Sequence, residues 1–410
     1  MTGTATLTTD APCGPDLPRS SLAGLLALST AAFTAVMTEL LPAGLLPEMS
    51  RALHVSQGRV GFLVTAYAAA SFLAAIPLTA ALRGLPRRPV LIGALLGFAV
   101  CNAVTALSSF YALTLVSRLA AGAMGGLMWA MLVGYAARMV PAERRGRAIA
   151  IVLAGITVAL SLGVPAGTAL AGAFGWRAVF AALAGGGVAL VAWVRWSVPG
   201  LPGEPAGERV PLRRVATPPG IPSVLVVTLF LLLGHQTMYT YVAPFAERSG
   251  FGRTGLILLI FGVATVGGVW LVGVLIDRRL RSTLLCALIA VAAAMLVLGL
   301  FGGVSAALPI AVALWGVAFG GAPTLIQTAL VNAAGPANAD VATSMQTTVY
   351  NLGIAAGSLT GGLVLEGAHA GVLPWAALPL VAVALATVAL ARRHAFPAPV
   401  DAGAGRSHGE

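Results

Sequence analysis

Apolar residues in this chain run in blocks of roughly bilayer length, separated by short breaks that are polar or carry arginine. A helix that crosses a bilayer needs about 20 predominantly apolar residues. Runs of that length fall at 22–46, 58–81, 89–107, 112–136, 148–172, 177–197, 222–245, 255–276, 283–302, 307–332, 341–364 and 372–391. The pattern predicts an all-α polytopic membrane protein with twelve transmembrane helices. One stretch breaks the rhythm: Val198 to Gly220 holds six prolines, four glycines and mixed charge, without periodicity. It reads as a linker between a six-helix bundle at 21–197 and a second at 221–392, with tails at 1–20 and 393–410. The first twenty residues contain Asp10, Asp16 and three prolines, and the apolar run behind them exceeds a signal-peptide core. The first span is therefore expected to be retained.

The two halves echo one another. Leu162–Gly172 aligns without gaps on Leu352–Gly362, 190 residues later, with five of eleven positions identical. A second echo, in the same order, matches Leu82-Arg83 with Arg87 and Arg88 to Leu275-Ile-Asp277-Arg278-Arg279 with Arg281. Together they predict two pseudo-symmetric bundles. In the fifth span, Gly155, Ala159, Gly163, Gly167 and Ala171 recur every fourth position. That spacing lines one helical face with small residues, where a neighbouring backbone approaches closely. Pro165 lies in the same helix, removes one backbone donor and predicts a kink.

Composition excludes most other classes. Charged residues make up 9% of the chain and hydrophobic residues 58%, against about 25% charged in a soluble domain. The net charge of +11 comes from arginine alone, because the chain has no lysine. Nucleic-acid binding would cluster those arginines on one surface; here they sit in short groups between spans, as in cytoplasmic loops. With the N-terminus inside, eighteen arginines fall on the cytoplasmic side and six elsewhere (Arg51, Arg59, Arg118, Arg177, Arg248 and Arg253). The bias predicts a multi-pass protein of the cell membrane with both termini cytoplasmic. Cys13, Cys101 and Cys286 show neither disulfide nor metal-ligand spacing, so no metal or other cofactor is expected. No glycine-rich loop ending in Lys is present to hold ATP. An intramembrane enzyme would need paired catalytic groups at membrane depth, and a sensor a sizeable soluble module; neither is evident. Two halves around one pathway need no partner, so a monomer is expected.

Glu39 is the only carboxylate well inside a span. An ionisable group at that depth costs about 2.5–3.5 kcal/mol on insertion scales, so it needs a proton, a partner or a function. It is either a proton-coupling group or a hydrogen-bonded polar residue near the end of the first helix. Arg118 lies about 9 Å into the fourth span, and reads either as Glu39's electrostatic partner or as a charge snorkelling to the surface. The seventh span carries His235, Gln236 and Tyr239, and the eleventh carries Gln346, Tyr350 and Asn351. With Thr38 beside Glu39, these groups either line a substrate cavity or tie helices together.

The pattern resembles the major facilitator superfamily over about residues 20–395. Gly155 to Gly172, with Gly163-Val-Pro165 and Gly167, resembles the fifth-helix motif of its drug:proton antiporter branch. Leu115-Val-Ser-Arg118, with Gly122 and Gly125, resembles that branch's fourth-helix motif. Thr38-Glu39-Leu-Leu-Pro42 is similar to the first helix of bacterial sugar-efflux and drug-efflux permeases. The family's Gly-x-Leu-Ala-Asp-Arg loop is replaced after the second span by Ala80-Ala-Leu82-Arg-Gly-Leu, while its acidic form appears at Gly273-Val-Leu-Ile-Asp277-Arg278. The resemblance implies an exporter of a small organic compound, in exchange for protons, working by alternating access. It implies proton coupling through Glu39 and Arg118, packing and gating at Gly155, Gly163, Pro165 and Gly167, and a gating salt bridge at Asp277 and Arg278. An importer or facilitator on the same fold is the alternative.

Overall fold

The computed structural model describes residues 19–82, 84–141, 144–203, 220–334 and 339–391, apart from the side chains of 19–21, 76, 276–279, 339–341 and 344. Among these, twelve helical segments are long and apolar enough to cross a bilayer. They are α1 (Leu22–Gly44), α2 (Gln57–Ala75), α3 (Arg87–Leu107), α4 (Tyr111–Arg138), α5 (Arg145–Phe174), α6 (Trp176–Ser197), α7 (Ile221–Tyr239), α8 (Thr254–Leu275), α9 (Leu280–Phe301), α10 (Ala307–Ala334), α11 (Met345–Gly367) and α12 (Ala370–Leu390). Successive helices alternate direction, so one end of the bundle carries the linker and the other carries the α1–α2 and α7–α8 connections. These are the linker end and the far end.

The first helix of each half stops short of its apolar run. α1 ends at Gly44, and a short amphipathic helix, Leu46–Leu53, follows with Leu46, Met49 and Leu53 buried. α7 ends at Tyr239, turns through Thr240 and Tyr241, and continues as Val242–Arg248. Both second pieces carry a proline in or near the first turn, Pro47 and Pro244, a position where the missing N–H costs no helical bond. α8 and α9 are joined by continuous helical backbone from Thr254 to Phe301. A straight helix of that length would reach about 72 Å, more than twice the hydrocarbon core. Yet both ends lie at the far end, Gly255 facing Pro165 and Ala169 and Gly302 facing Phe245, so the chain doubles back between the two spans.

α5 is not a simple kinked helix. A π-helical turn, Ala159–Gly163, separates Arg145–Val158 from Val164–Phe174, with Pro165 at the start of the latter. The wider turn accommodates the missing N–H of Pro165. Gly155, Gly163 and Gly167 press on α1, at Ser29, at Phe33 and Met37, and at Leu41. The other half meets α5 on a different side, where Gly262 of α8 lies against Leu160 and Ser161. In the second half, Gly353, Gly357 and Gly361 of α11 press on α7 at Leu232, Leu233 and Thr237. The sequence echo thus marks one role in both halves: the fifth helix packing on the first. A further echo lies in the fourth helices, where Gly122 and Gly126 meet the Tyr67 and Ser71 carbonyls of α2, and Gly316 and Gly320 meet the Phe261 and Thr265 carbonyls of α8.

The apolar core comes in two clusters. One stays within the first half, from Leu25 to Val198, and extends from the linker end. The other fills the second half and, at the far end, takes in Leu41, Leu45, Leu46, Val60 and Val64 of the first. The two halves therefore fuse at the far end. Between them Ser56 donates a 2.5 Å hydrogen bond to Glu366, and the Tyr241 ring fits against Gly61 and Gly362.

At the linker end, arginines hold carbonyls. Arg88 donates to Arg195 O and Val198 O at the end of α6, and Arg138 to Pro202 O, while Tyr135 reaches Pro199 O at 2.5 Å. Arg281 donates to Ala389 O near the end of α12. The Arg88 contacts to Arg195 O and Val198 O are charged caps at a helix C-terminus. The first residues of the linker are thereby pinned to the first half. The side chains of Asp277 and Arg278 lie outside the described residues.

Candidate functional site

Four helices of the first half bring their polar groups to one buried place. α1 supplies Thr38 and Glu39, α2 Tyr67, α3 Asn102 and α4 Arg118. Their exposures are 0%, 6%, 0%, 0% and 1%. The organising atom is the Thr38 carbonyl. In a regular helix it would accept from the N–H four residues on, but that residue is Pro42, which has none. The Arg118 guanidinium donates to this carbonyl through Nη2 instead. The same guanidinium lies 5.1 Å from the Tyr67 ring centroid, within cation–π range. Asn102 Nδ2 donates to Thr38 Oγ1 at 3.0 Å, so both oxygens of Thr38 are engaged. Next door, Ser117 Oγ donates to Cys101 O at 2.7 Å and lies 3.2 Å from Thr105 Oγ1.

Glu39 and Arg118 sense each other's charge, but no ion pair joins them; Glu39 Oε1 and Arg118 Nε have no protein partner, and neither do Tyr67 Oη and Asn102 Oδ1. One unsatisfied buried atom is an oddity; four in one neighbourhood mark a site built to take a further polar species. Tyr350 of α11 reaches the field of Glu39 from the second half.

The second half contributes an aromatic cluster. His235 stacks on Phe319 with centroids 3.6 Å apart and planes 6° from parallel. Tyr239, Trp315 and Phe261 surround it at 5.2, 5.1 and 5.7 Å. His235 Nδ1, Gln236 Nε2 and Trp315 Nε1 are buried without protein partners. The neighbouring polar groups of α7 do other work. Thr237 donates to Gly357 O at 3.2 Å, Thr240 and Ser358 share a 2.9 Å hydrogen bond, and Tyr241 donates to Ser358 O at 2.8 Å. They zip α7 to α11. On α11, Gln346 is buried at 7% exposure, Tyr350 is half-buried, and Asn351 donates to Thr347 O at 3.0 Å within its own helix.

The structure therefore gathers Thr38, Glu39 and Arg118 into one site, brings Tyr350 towards it, and sets His235, Gln236 and Tyr239 in the other half. Tyr67 and Asn102 were not singled out from the sequence. The available signal was Asn102 itself, the one amide in the third span. Among the described residues no group of three or more His, Cys, Asp or Glu side chains is placed to hold a metal.

A family model described as Major Facilitator Superfamily matches residues 28–399. A bacterial homologue of the human lysosomal transporter Spinster, solved in an inward-facing and occupied conformation, superposes with a TM-score of 0.70 at 17% identity, over 92% of this chain and 98% of that one. The inward-facing and unoccupied form gives 0.64, at 17% identity, over 93% and 96%. The human organic anion transporter MFSD10 (TETRAN) gives 0.68 at 19% identity, over 91% and 100%. At these identities the likeness is one of fold.

Proposed function

We propose, on the premise that this chain belongs to the major facilitator superfamily and is a membrane transporter rather than an enzyme, that it exports a small organic compound in exchange for protons. The observation that carries the reading is Glu39: a carboxylate 6% exposed, well inside α1, without an ion pair and in the field of Arg118. Such a group meets the demands of exchange. It can hold a proton when no ligand is near and give it up when a ligand or the guanidinium takes its place. Thr38 and Arg118 fix α1 at that level, and His235, Gln236, Tyr239, Gln346, Tyr350 and Asn351 are the second-half groups we assign to a cavity for a mixed polar–apolar compound.

The arginine bias supports a cytoplasmic linker end in the cell membrane. In that orientation, halves fused at the far end correspond to an inward-facing state. The glycine faces of α5 and α11 on α1 and α7 keep each half rigid, while α2–α11 and α5–α8 are the seams across which the halves rock. The branch resemblance supports drug-type or sugar-type export, and a monomer suffices for it.

The test is transport in inverted membrane vesicles with an imposed proton gradient, screening compounds by the pH change each addition causes. Wild type is expected to release protons on addition of a substrate, and Glu39→Gln to insert equally well and release none. Solute movement without proton movement would leave the importer-or-facilitator reading and remove exchange.

A further inference from the structure

A groove of about 320 Å³ opens at the far end, across the seam between α2 and α4 of the first half and α11 of the second. Its lining is sorted by depth. Arg59 is two residues into α2, Tyr111 begins α4 and Glu366 is the last residue but one of α11, so these polar groups share the level where a bilayer places its headgroups. The apolar members lie deeper: Phe62 and Leu115 are one turn inward, and Leu363 and Leu359 one and two turns inward from Glu366. Phe62, Leu359 and Leu363 are 39%, 42% and 63% exposed, so the apolar part opens sideways. Gly58 and Gly362 lack the side chains that would fill the floor.

The polar rim offers both signs of charge. Arg59 is exposed, its guanidinium 4.9 Å from the Tyr111 ring centroid, and Tyr111 Oη donates to Arg59 O at 2.8 Å. Glu366 is exposed and accepts from Ser56 through Oε1. An apolar slot facing hydrocarbon, topped by a cation and an anion at headgroup depth, complements a phospholipid with a zwitterionic head. We propose that this groove is a binding site for a phosphatidylethanolamine-type lipid. Its phosphate meets Arg59, its primary ammonium donates to Glu366, and one acyl chain runs down Phe62, Leu115, Leu359 and Leu363. A quaternary ammonium has no N–H to donate, and a purely anionic head leaves Glu366 opposed by like charge. The site therefore selects the primary amine. Because it spans the seam, the lipid holds the two halves together where they already meet.

The purified full-length protein would be equilibrated with equal amounts of phosphatidylethanolamine, phosphatidylglycerol and phosphatidylcholine, and retained lipids counted on the intact protein by native mass spectrometry. Wild type is expected to retain the ethanolamine lipid over the other two. Arg59→Gln and Glu366→Gln should each weaken that retention roughly tenfold, the scale of one lost charge-assisted hydrogen bond. Arg59→Lys should keep most of it, and Leu363→Trp should exclude the chain without touching the charges. Counting only folded protein separates loss of the site from loss of fold. Equal retention of all three lipids, retention unchanged in Arg59→Gln, or displacement of the lipid by a transported compound with Arg59→Gln abolishing that compound's binding would each overturn the proposal.

Discussion

At the scale of single residues, the sequence Thr38-Glu39-Leu-Leu-Pro42 works as a unit. Pro42 releases the Thr38 carbonyl from helical bonding, and Arg118 takes it; a charge buried in apolar helices thereby gains an acceptor that a regular helix would not offer. Arg118→Gln leaves that carbonyl and the Tyr67 face without a cation, at a cost of about 1.5–3 kcal/mol, measurable as a lower thermal midpoint. Pro42→Ala tests the same idea from the other side. It restores an N–H that competes for the carbonyl, so stability should change by about 1 kcal/mol or less, while the proposed proton exchange falls. Equal loss of stability in both variants would mean that Pro42 merely shapes the helix end. Glu39 and Arg118 were legible in the sequence because each is a lone charge inside an apolar run. Tyr67 and Asn102 were not, because neutral polar residues in such runs are too common to point anywhere until the backbone brings them together. His235 gave the opposite lesson. It was visible as a titratable group, but three of the four aromatic rings around it, Phe261, Trp315 and Phe319, come from α8 and α10, which nothing in the α7 sequence announces.

At the scale of elements, the spans were legible to within a few residues because hydrocarbon thickness fixes their length. What was hidden lies where backbone geometry overrides hydropathy: the breaks after α1 and α7, and the π-helical turn in α5 in place of a plain proline kink. Repeats were legible only in part. The α5 and α11 glycines stand in a matched motif, whereas Gly122 and Gly126 correspond to Gly316 and Gly320 by position alone, 194 residues apart, amid dissimilar neighbours. All four meet a carbonyl of the second helix in their half. Gly122→Val and Gly316→Val should therefore be comparably harmful, each forcing helices apart at about 1–3 kcal/mol. Gly185→Ala, which meets open space, should be neutral. Thermal midpoints of the purified proteins check this, and a tolerant Gly316 would show that the two halves do not share the packing rule.

At the scale of the whole molecule, the two apolar clusters differ in what they join. The linker-end cluster of the first half includes no described residue beyond Leu201, whereas the other crosses between halves at the far end. Alternating access requires that far-end junction to open and the linker end to close. The junction is mainly apolar. Its polar bond, Ser56 to Glu366, lies between exposed groups, and such a bond contributes about 0.5–1.5 kcal/mol. The Tyr241 ring, by contrast, is buried with its hydroxyl held by Ser358, so it travels with the second half and leaves the glycine face of α2 as a smooth surface to part from. Replacing Ser56 and Glu366 with cysteines, in a chain freed of Cys13, Cys101 and Cys286, would let a short reversible cross-linker tie the seam. Cross-linking is expected to stop transport almost completely and reduction to restore it, because the far end could then no longer open. A matched linker between two cysteines within one half, at positions 56 and 111, should leave transport largely intact. Undiminished flux through the tied seam would show that the halves do not separate there, and would move the far-end opening elsewhere in the fold.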